Sequence, residues 1–253
     1  MNRRQVIHGL GALAVGMAVR NSPALDGWDV EQKPEASESR VNSLPRVVAG
    51  VRLVDSKVAK EATELSRTVS PPYLFNHAVR TYLFGSLVGR ALKQSFDEEL
   101  LYLACLMHDL GLTEKYEGDL PFEIQGAEAA KHFLEELAYE KAKVGVVWDG
   151  IAMHPLFIGQ YKQPEIALVG EGAGADVLGP DSSQISKAEV DEVLSAFPRL
   201  KFNDAFVKTC ADVVRKHPRS ASRTFMRDIG ERYVSDYHPR NFCDLMQKSP
   251  FGE

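Results

Sequence analysis

The sequence has 253 residues, of which 44% are hydrophobic and 26% charged, a composition ordinary for a globular protein with one large core. The formal net charge is −5, and no stripe of basic and aromatic residues marks a nucleic-acid-binding surface. The three cysteines form no metal-binding or redox motif. A Cys210–Cys243 disulfide could form outside the cytoplasm, but nothing in the sequence demands it.

Residues 1–24 have the three parts of an export signal. Arg3 and Arg4 precede a glycine-rich, mildly apolar run over residues 6–19, and Ser22-Pro23-Ala24 has the small-x-small form of a signal-peptidase site. The paired arginines favour a twin-arginine signal peptide, so we expect the twin-arginine machinery to export the protein to the periplasm or beyond. The alternatives are a short N-terminal membrane anchor and a disordered leader on a cytoplasmic protein. The apolar run is too short for a stable membrane span, and no later stretch could form one.

Residues 25–45 are polar and acidic, which predicts a linker. A short extended piece is predicted at residues 46–51. Beyond it, apolar residues recur at helical spacing and no useful alternating pattern appears, so we predict an all-α domain over residues 46–253. Its helices are expected at about residues 56–69, 73–92, 98–108, 122–137, 140–153, 164–179, 187–197, 202–216 and 220–233, followed by an irregular tail.

Polar residues mark several of these helix ends. Asp55, Asp97 and Ser186 are predicted N-caps, and Glu189 stands in capping-box position after Ser186. Gly111 can take a positive φ and is predicted to end the helix that carries His108 and Asp109.

Five ionisable residues lie on, or at the end of, apolar helical segments: His77, His108, Asp109, His154 and Asp176. Ionisable side chains in such places need partners, because burying them unpaired is costly. A shared divalent cation would satisfy them, with imidazole nitrogens and carboxylate oxygens as ligands and water completing the shell. The glycine-rich tract at residues 170–174 lacks the features of a phosphate loop and favours close helix packing instead.

The order of these residues resembles the ligand order of the HD-domain metalloprotein superfamily. The similarity is closer to the cyanamide hydratase-like branch and extends from about residue 71 to the C-terminus. It is carried by the segments FNHAVRTY (75–82), CLMHDLGLT (105–113), FEIQGAEAA (122–130) and AGADVLG (173–179), with further similarity at 225–233 and 249–251.

The resemblance implies that His77, His108, Asp109 and Asp176 bind one divalent metal ion, most often zinc in cyanamide hydratases and iron, manganese or nickel elsewhere. It also implies a homo-oligomer. His154 falls where this branch often places a histidine near the substrate.

From these residues we expect a metal-dependent hydratase or hydrolase that adds water to a nitrile-type carbon, such as that of cyanamide. Asp109 would hold the water or take its proton, and His154 would donate a proton to the developing nitrogen anion. Arg80, one helical turn from His77, could orient a ligand or form a plain buried ion pair, and Lys115 could reach the pocket from its loop or face solvent.

Two other functions remain open at this stage. A phosphohydrolase acting on a nucleotide or phosphate ester would need basic residues beside the His-Asp pair, and only Arg67, Arg80 and Lys115 offer themselves. A non-catalytic metal-binding sensor domain is the third hypothesis. The sequence does not name the physiological substrate.

Overall fold

The fold is all-α, as predicted, in a computed structural model that describes residues 44–156, 158–221 and 223–251. The predicted signal peptide at 1–24 and nearly all of the predicted linker lie outside these residues. The described residues belong to one unit, Ser43–Glu253. Its helices are α1 Lys57–Val69, α2 Pro72–Ala91, α3 Glu98–Met107, α4 Phe122–Glu136, α5 Lys141–Met153, α6 Pro164–Leu178, α7 Lys187–Ala196, α8 Phe202–Lys216, α9 Phe225–Tyr233 and α10 Phe242–Gln247.

Three single turns of 3-10 helix and one small hairpin complete the described fold. The 3-10 turns are Leu110–Leu112, His154–Leu156 and Gly159–Tyr161. The predicted extended piece is the hairpin, in which β1 (Val47–Val48) pairs antiparallel with β2 (Val51–Arg52). No helix in the part of the chain that the structure describes is long and apolar enough to cross a membrane.

Side-chain caps mark the starts of four of the ten described helices, α1, α3, α7 and α10. Asp97 accepts hydrogen bonds from the backbone N–H groups of Glu99 and Leu100, and Ser186 forms the predicted capping box with Glu189. The cap of α1 is Ser56 and not Asp55, because the Ser56 hydroxyl accepts from the Ala59 N–H three residues on.

The C-terminal elements differ from the prediction. Helix α9 begins at Phe225, five residues later than expected, and the tail contains the short helix α10, whose Phe242 is 73% exposed. Residues that favour turns in the 217–224 segment, with Pro218 at its start, delay α9.

Glycines allow the helices of the metal site to approach closely. A Cβ atom on Gly172 of α6 would lie 2.1 Å from the Thr81 carbonyl oxygen of α2, and one on Gly85 would lie 2.6 Å from the Leu168 oxygen. Only glycine fits at these two positions, so α2 and α6 pack backbone to backbone. This contact brings His77 of α2 next to Asp176 of α6.

Gly111 serves the site by the same means and not by the expected positive φ. A Cβ there would lie 2.0 Å from the Phe122 carbonyl oxygen, and Gly111 is absent from the described residues with positive φ. Its small size lets the start of α4 pack against the turn that follows α3. The end of α3 is therefore set by the 3-10 turn, with His108 in a right-handed conformation.

Candidate metal centre

His108 and Asp109 lie at the buried end of α3. Their relative exposures are 1% and 5%, because the whole face of α3 that leads to them is apolar and packed in the core. The His108 Nδ1–H donates to the Cys105 carbonyl oxygen at 2.7 Å, one turn back along the helix. This bond directs the His108 Nε2 atom away from α3 and toward α2.

His77 meets this pair from the middle of α2. Its Nδ1–H donates to Asp176 Oδ2 at 2.6 Å, which turns its Nε2 atom toward α3. The two Nε2 atoms are 3.2 Å apart, and Asp109 Oδ2 lies 3.3 Å from that of His108 and 3.5 Å from that of His77. These three ligand atoms lie within 4.8 Å of one another.

The three atoms fit a divalent metal ion. Two imidazole nitrogens face each other with their Nδ1 sides already used, so the arrangement requires a proton or a cation between them. Asp109 Oδ2 is buried and has no hydrogen-bond partner, although buried carboxylate oxygens are normally satisfied. Two nitrogens and one carboxylate oxygen suit zinc and other borderline metals.

Burial and mutual charge shift the protonation of these residues. Burial lowers the pKa of His77 in spite of its hydrogen bond to Asp176. Burial alone would raise the pKa of Asp109, but the neighbouring histidines, His108 above all, lower it to about 2. Burial also acts to lower the pKa of His108, yet the Asp109 carboxylate outweighs burial and raises it. Asp109 is therefore ionised, and in the metal-free protein His108 is the place where a proton substitutes for the cation.

The structure places Asp176 behind His77, outside the group of three ligand atoms. Its Oδ2 accepts from His77 Nδ1 and from Arg80 Nη2 at 2.7 Å, and its Oδ1 accepts from Arg80 Nε at 2.7 Å and Arg199 Nη1 at 2.9 Å. Burial opposes ionisation, but His77 and Arg80 together hold the pKa of Asp176 well below its usual range.

Arg80 forms a buried bidentate ion pair with Asp176 and does not contact Asp109. Its Nη1 also donates to the carbonyl oxygens of Phe197 at 3.1 Å and Pro198 at 3.2 Å. All three guanidinium nitrogens of Arg80 thus donate to protein oxygens, which compensates the burial of its charge.

His154 lies in the 3-10 turn after α5 and is 6% exposed. Its Nδ1–H donates to the Ile151 carbonyl oxygen at 2.6 Å, and its Nε2 is 4.0 Å from Asp109 Oδ1. Burial and the adjacent His108 lower the pKa of His154 to about 3, so the ring is neutral and its Nε2 accepts a proton. A small cleft between α5 and α6 reaches His154 and is lined also by Met153, Ile166 and Glu171.

Lys115 lies apart from the residues that converge here. It is exposed in the loop before α4, and its Nζ is 5.0 Å from the centre of the Tyr116 ring. The cysteines take no part in a disulfide among the described residues: Cys105 and Cys210 are buried free thiols, and Cys243 is an exposed one.

Aromatic side chains that were not predicted as site residues cover the metal centre. The Phe202 ring lies 4.6 Å from the His77 ring and the Phe206 ring 5.9 Å from it, measured between centroids. Phe122 lies 5.6 Å from His154, and Phe225 links Phe122 to Phe206. The sequence signal for this cover is the spacing of Phe202, Phe206 and Cys210 along one face of α8, a pattern that ordinary core helices share.

Residues 74–191 match the family model of the HD domain. This part of the chain is therefore similar to an HD domain. HD domains are all-α and generally metal-dependent hydrolases, so the match agrees with the helical fold and with the His77, His108 and Asp109 group. His154 and Asp176 also lie inside the matched range, whereas Arg199, Phe202 and Phe206 lie beyond it.

The chain is also similar to an uncharacterized protein of Clostridium beijerinckii, with 30% identity over 59 residues. These residues are 23% of this chain and 38% of the length of that relative. The similarity is thus confined to a part of each protein.

Proposed function

We propose that the protein is a metal-dependent hydratase or hydrolase of a small neutral substrate, adding water to a nitrile-type carbon as in the conversion of cyanamide to urea. The observation that carries the proposal is the meeting of His77 Nε2, His108 Nε2 and the unpartnered Asp109 Oδ2 beneath an aromatic cover. A divalent ion on these atoms, for which we propose zinc, would supply an activated water molecule near neutral pH.

In this proposal, Asp109 and His154 bind the water and transfer its proton. Asp109 Oδ2 faces the two ligand histidines, while its Oδ1 faces His154 Nε2. The Ile151 carbonyl holds the proton on His154 Nδ1, so Nε2 is left as the acceptor. We propose that His154 Nε2 takes a proton from the attacking water and returns it to the nitrogen of the opened nitrile bond. This addition consumes one water, leaves His154 unchanged and gives the isourea, which becomes urea when its hydroxyl proton shifts to the same nitrogen.

The walls of the site favour a compact and uncharged substrate. Phe122, Phe202 and Phe206 present apolar rings to the histidines. The arginine nearest the ligands, Arg80, already pairs with Asp176 and two carbonyl oxygens, and Lys115 is on the surface. Neither Arg80 nor Lys115 is therefore free to clamp a phosphate group at the His-Asp pair, which ranks phosphate-ester hydrolysis second.

The test is urea formation from cyanamide by the zinc-loaded full-length protein. His108→Ala removes a ligand and serves as the blank, and Lys115→Ala is a matched control on the surface. We expect urea from the unaltered protein and from Lys115→Ala, and none from His108→Ala. Bound zinc without urea would contradict cyanamide as the substrate. Phosphate release from a simple phosphate ester in the same samples would then favour the phosphohydrolase.

A further inference from the structure

The four contacts of Asp176 define its role in this chain. Its two oxygens accept hydrogen bonds from His77, Arg80 and Arg199, and all four donor–acceptor distances lie between 2.6 and 2.9 Å. An ionised carboxylate has about four acceptor positions, so these bonds use its capacity. The resemblance to HD metalloproteins implied that Asp176 is a metal ligand, and the geometry points elsewhere.

We propose that Asp176 is a positioning residue, which holds His77 in place through Nδ1 and does not itself bind the metal. The proposal rests on the proposed function only for the presence of a metal ion. It adds that Arg80 and Arg199 hold the Asp176 carboxylate in place. Because Arg199 lies beyond residues 74–191, a residue outside the matched range thereby helps to orient His77 at the metal centre.

The imidazole ring separates Asp176 from the ligand atoms. Nδ1 and Nε2 project from opposite sides of the ring, and His77 uses Nδ1 for Asp176 and Nε2 for the group formed with His108 and Asp109. A carboxylate bonded to Nδ1 is therefore on the far side of the ring from an ion at Nε2. To become a ligand, Asp176 would have to give up His77 and bonds to one or both arginines. A carboxylate behind a metal-binding histidine fixes its tautomer and raises its basicity.

Arg199 extends this support beyond residues 74–191. It lies between α7 and α8, and its Nη1 donates both to Asp176 Oδ1 and to the Asp176 carbonyl oxygen at 2.6 Å. Its Nη2 donates to Asn203 Oδ1 at 2.7 Å, and its guanidinium lies 4.9 Å from the centre of the Phe202 ring, which packs on His77. One arginine thus contacts both groups that hold the His77 ring, namely its carboxylate partner and its aromatic neighbour.

Cobalt(II) in place of zinc gives a visible spectrum that reports the ligands directly, without any assay of activity. We compare Asp176→Asn and Arg199→Gln with Asp109→Asn, which alters a ligand, and with Asp204→Asn, an exposed control on α8. At saturation, Asp176→Asn and Arg199→Gln should keep the band positions and intensities of the unaltered protein, whereas Asp109→Asn should change them.

The affinity for cobalt should fall in Asp176→Asn and Arg199→Gln, although their spectra at saturation stay the same. Asp176→Asn should weaken cobalt binding about 10- to 100-fold, the range for partners of metal-binding histidines. Arg199→Gln, which loses hydrogen bonds of about 0.5–1.5 kcal/mol each, should weaken it about 3- to 10-fold. A saturated Asp176→Asn spectrum altered like that of Asp109→Asn would overturn the proposal, as would unchanged affinity in Asp176→Asn.

A measurement on the unaltered protein covers the case in which Asp176→Asn does not fold. In the zinc-loaded, 15N-histidine-labelled protein, NMR should show His77 with a proton on Nδ1 and the metal on Nε2. Loss of that hydrogen-bonded Nδ1–H on zinc loading would contradict the proposal. Neither readout depends on turnover, so a failure to form urea would count against the proposed function and leave this assignment standing.

Discussion

The Phe202 ring packs on the His77 ring, with 4.6 Å between their centroids. His77 lies within residues 74–191, which match the HD-domain family model, whereas Phe202 comes from α8, outside that range. The first of the three candidate ligands is therefore covered by the C-terminal part of the chain. Because α8 and α9 form a second apolar cluster with the ends of α2 and α4, this cover is rigidly packed and limits the space above the metal centre.

Phe206→Ala should lower stability and widen the site. Phe206 is 8% exposed and contacts Phe202, Phe225 and His77, so the truncation should cost about 3–5 kcal/mol in the free energy of unfolding. The ratio of kcat/KM for a bulkier nitrile to that for cyanamide should rise, since space opens beside the histidines. Denaturant unfolding and rate measurements check both effects.

Phe242→Ala is the control, at a position 73% exposed, and should change neither the free energy of unfolding nor the kcat/KM ratio. An unchanged ratio in Phe206→Ala would show that this ring does not limit the size of the substrate.

Metal binding should release a proton from His108. The adjacent carboxylate of Asp109 raises the pKa of His108 in the folded, metal-free protein, so folding stabilises the protonated form. That contribution to stability is fully present below the unfolded value of about 6.5 and is lost as the pH rises through the folded value. A metal ion competes with this proton, and its apparent affinity should therefore fall as the pH is lowered.

Titration calorimetry in buffers of different ionisation enthalpy counts the released protons. We expect release of up to one proton in the unaltered protein at a pH below the folded pKa of His108. His154→Gln should release the same number, because burial already lowers the pKa of His154 to about 3 and leaves it neutral. Proton release that persists at full strength in His108→Gln would show that another group is the source.

His154→Gln should separate proton transfer from metal binding. The variant keeps a polar side chain of similar reach but has no basic nitrogen, so kcat should fall about 10²- to 10⁴-fold. Zinc content should stay unchanged, because the three ligand atoms come from His77, His108 and Asp109. Metal analysis and steady-state rates on the same preparation test this. The exposed His132→Gln is the control, and a His154→Gln enzyme with unaltered kcat would exclude a proton-transfer role.

Replacement of the paired arginines should block export. Twin-arginine signals depend on both residues, so Arg3→Lys combined with Arg4→Lys should retain the protein in the cytoplasm. Fractionation of cells producing each version measures the distribution. Lys33→Arg, in the predicted linker, keeps the same charge balance and should not alter it. Equal distribution of the double variant and the unaltered protein would argue for another route or for a cytoplasmic protein.

Helix positions followed from local patterns, and so did the caps wherever a single polar residue was available. Asp97 and the Ser186–Glu189 box act as predicted because a cap needs only backbone groups two or three residues away. Ser56 replaces Asp55 as the cap of α1, since adjacent polar residues compete and the local backbone geometry chooses between them. The predicted start of α9 was five residues too early, because the effect of Pro218 and the turn-favouring residues after it was underestimated.

The sequence by itself determined the helical class and the residue types for a metal site, because apolar periodicity and buried ionisable residues can be recognised locally. Tertiary structure decided the rest. The close packing of α2 on α6, which requires Gly85 and Gly172, put Asp176 on the Nδ1 side of His77. Packing of α8 likewise brought Phe202 over that ring and Arg199 onto Asp176. His77 and Asp176 are 99 positions apart. No local pattern of apolar or charged residues reports the side of a ring that so distant a carboxylate will reach.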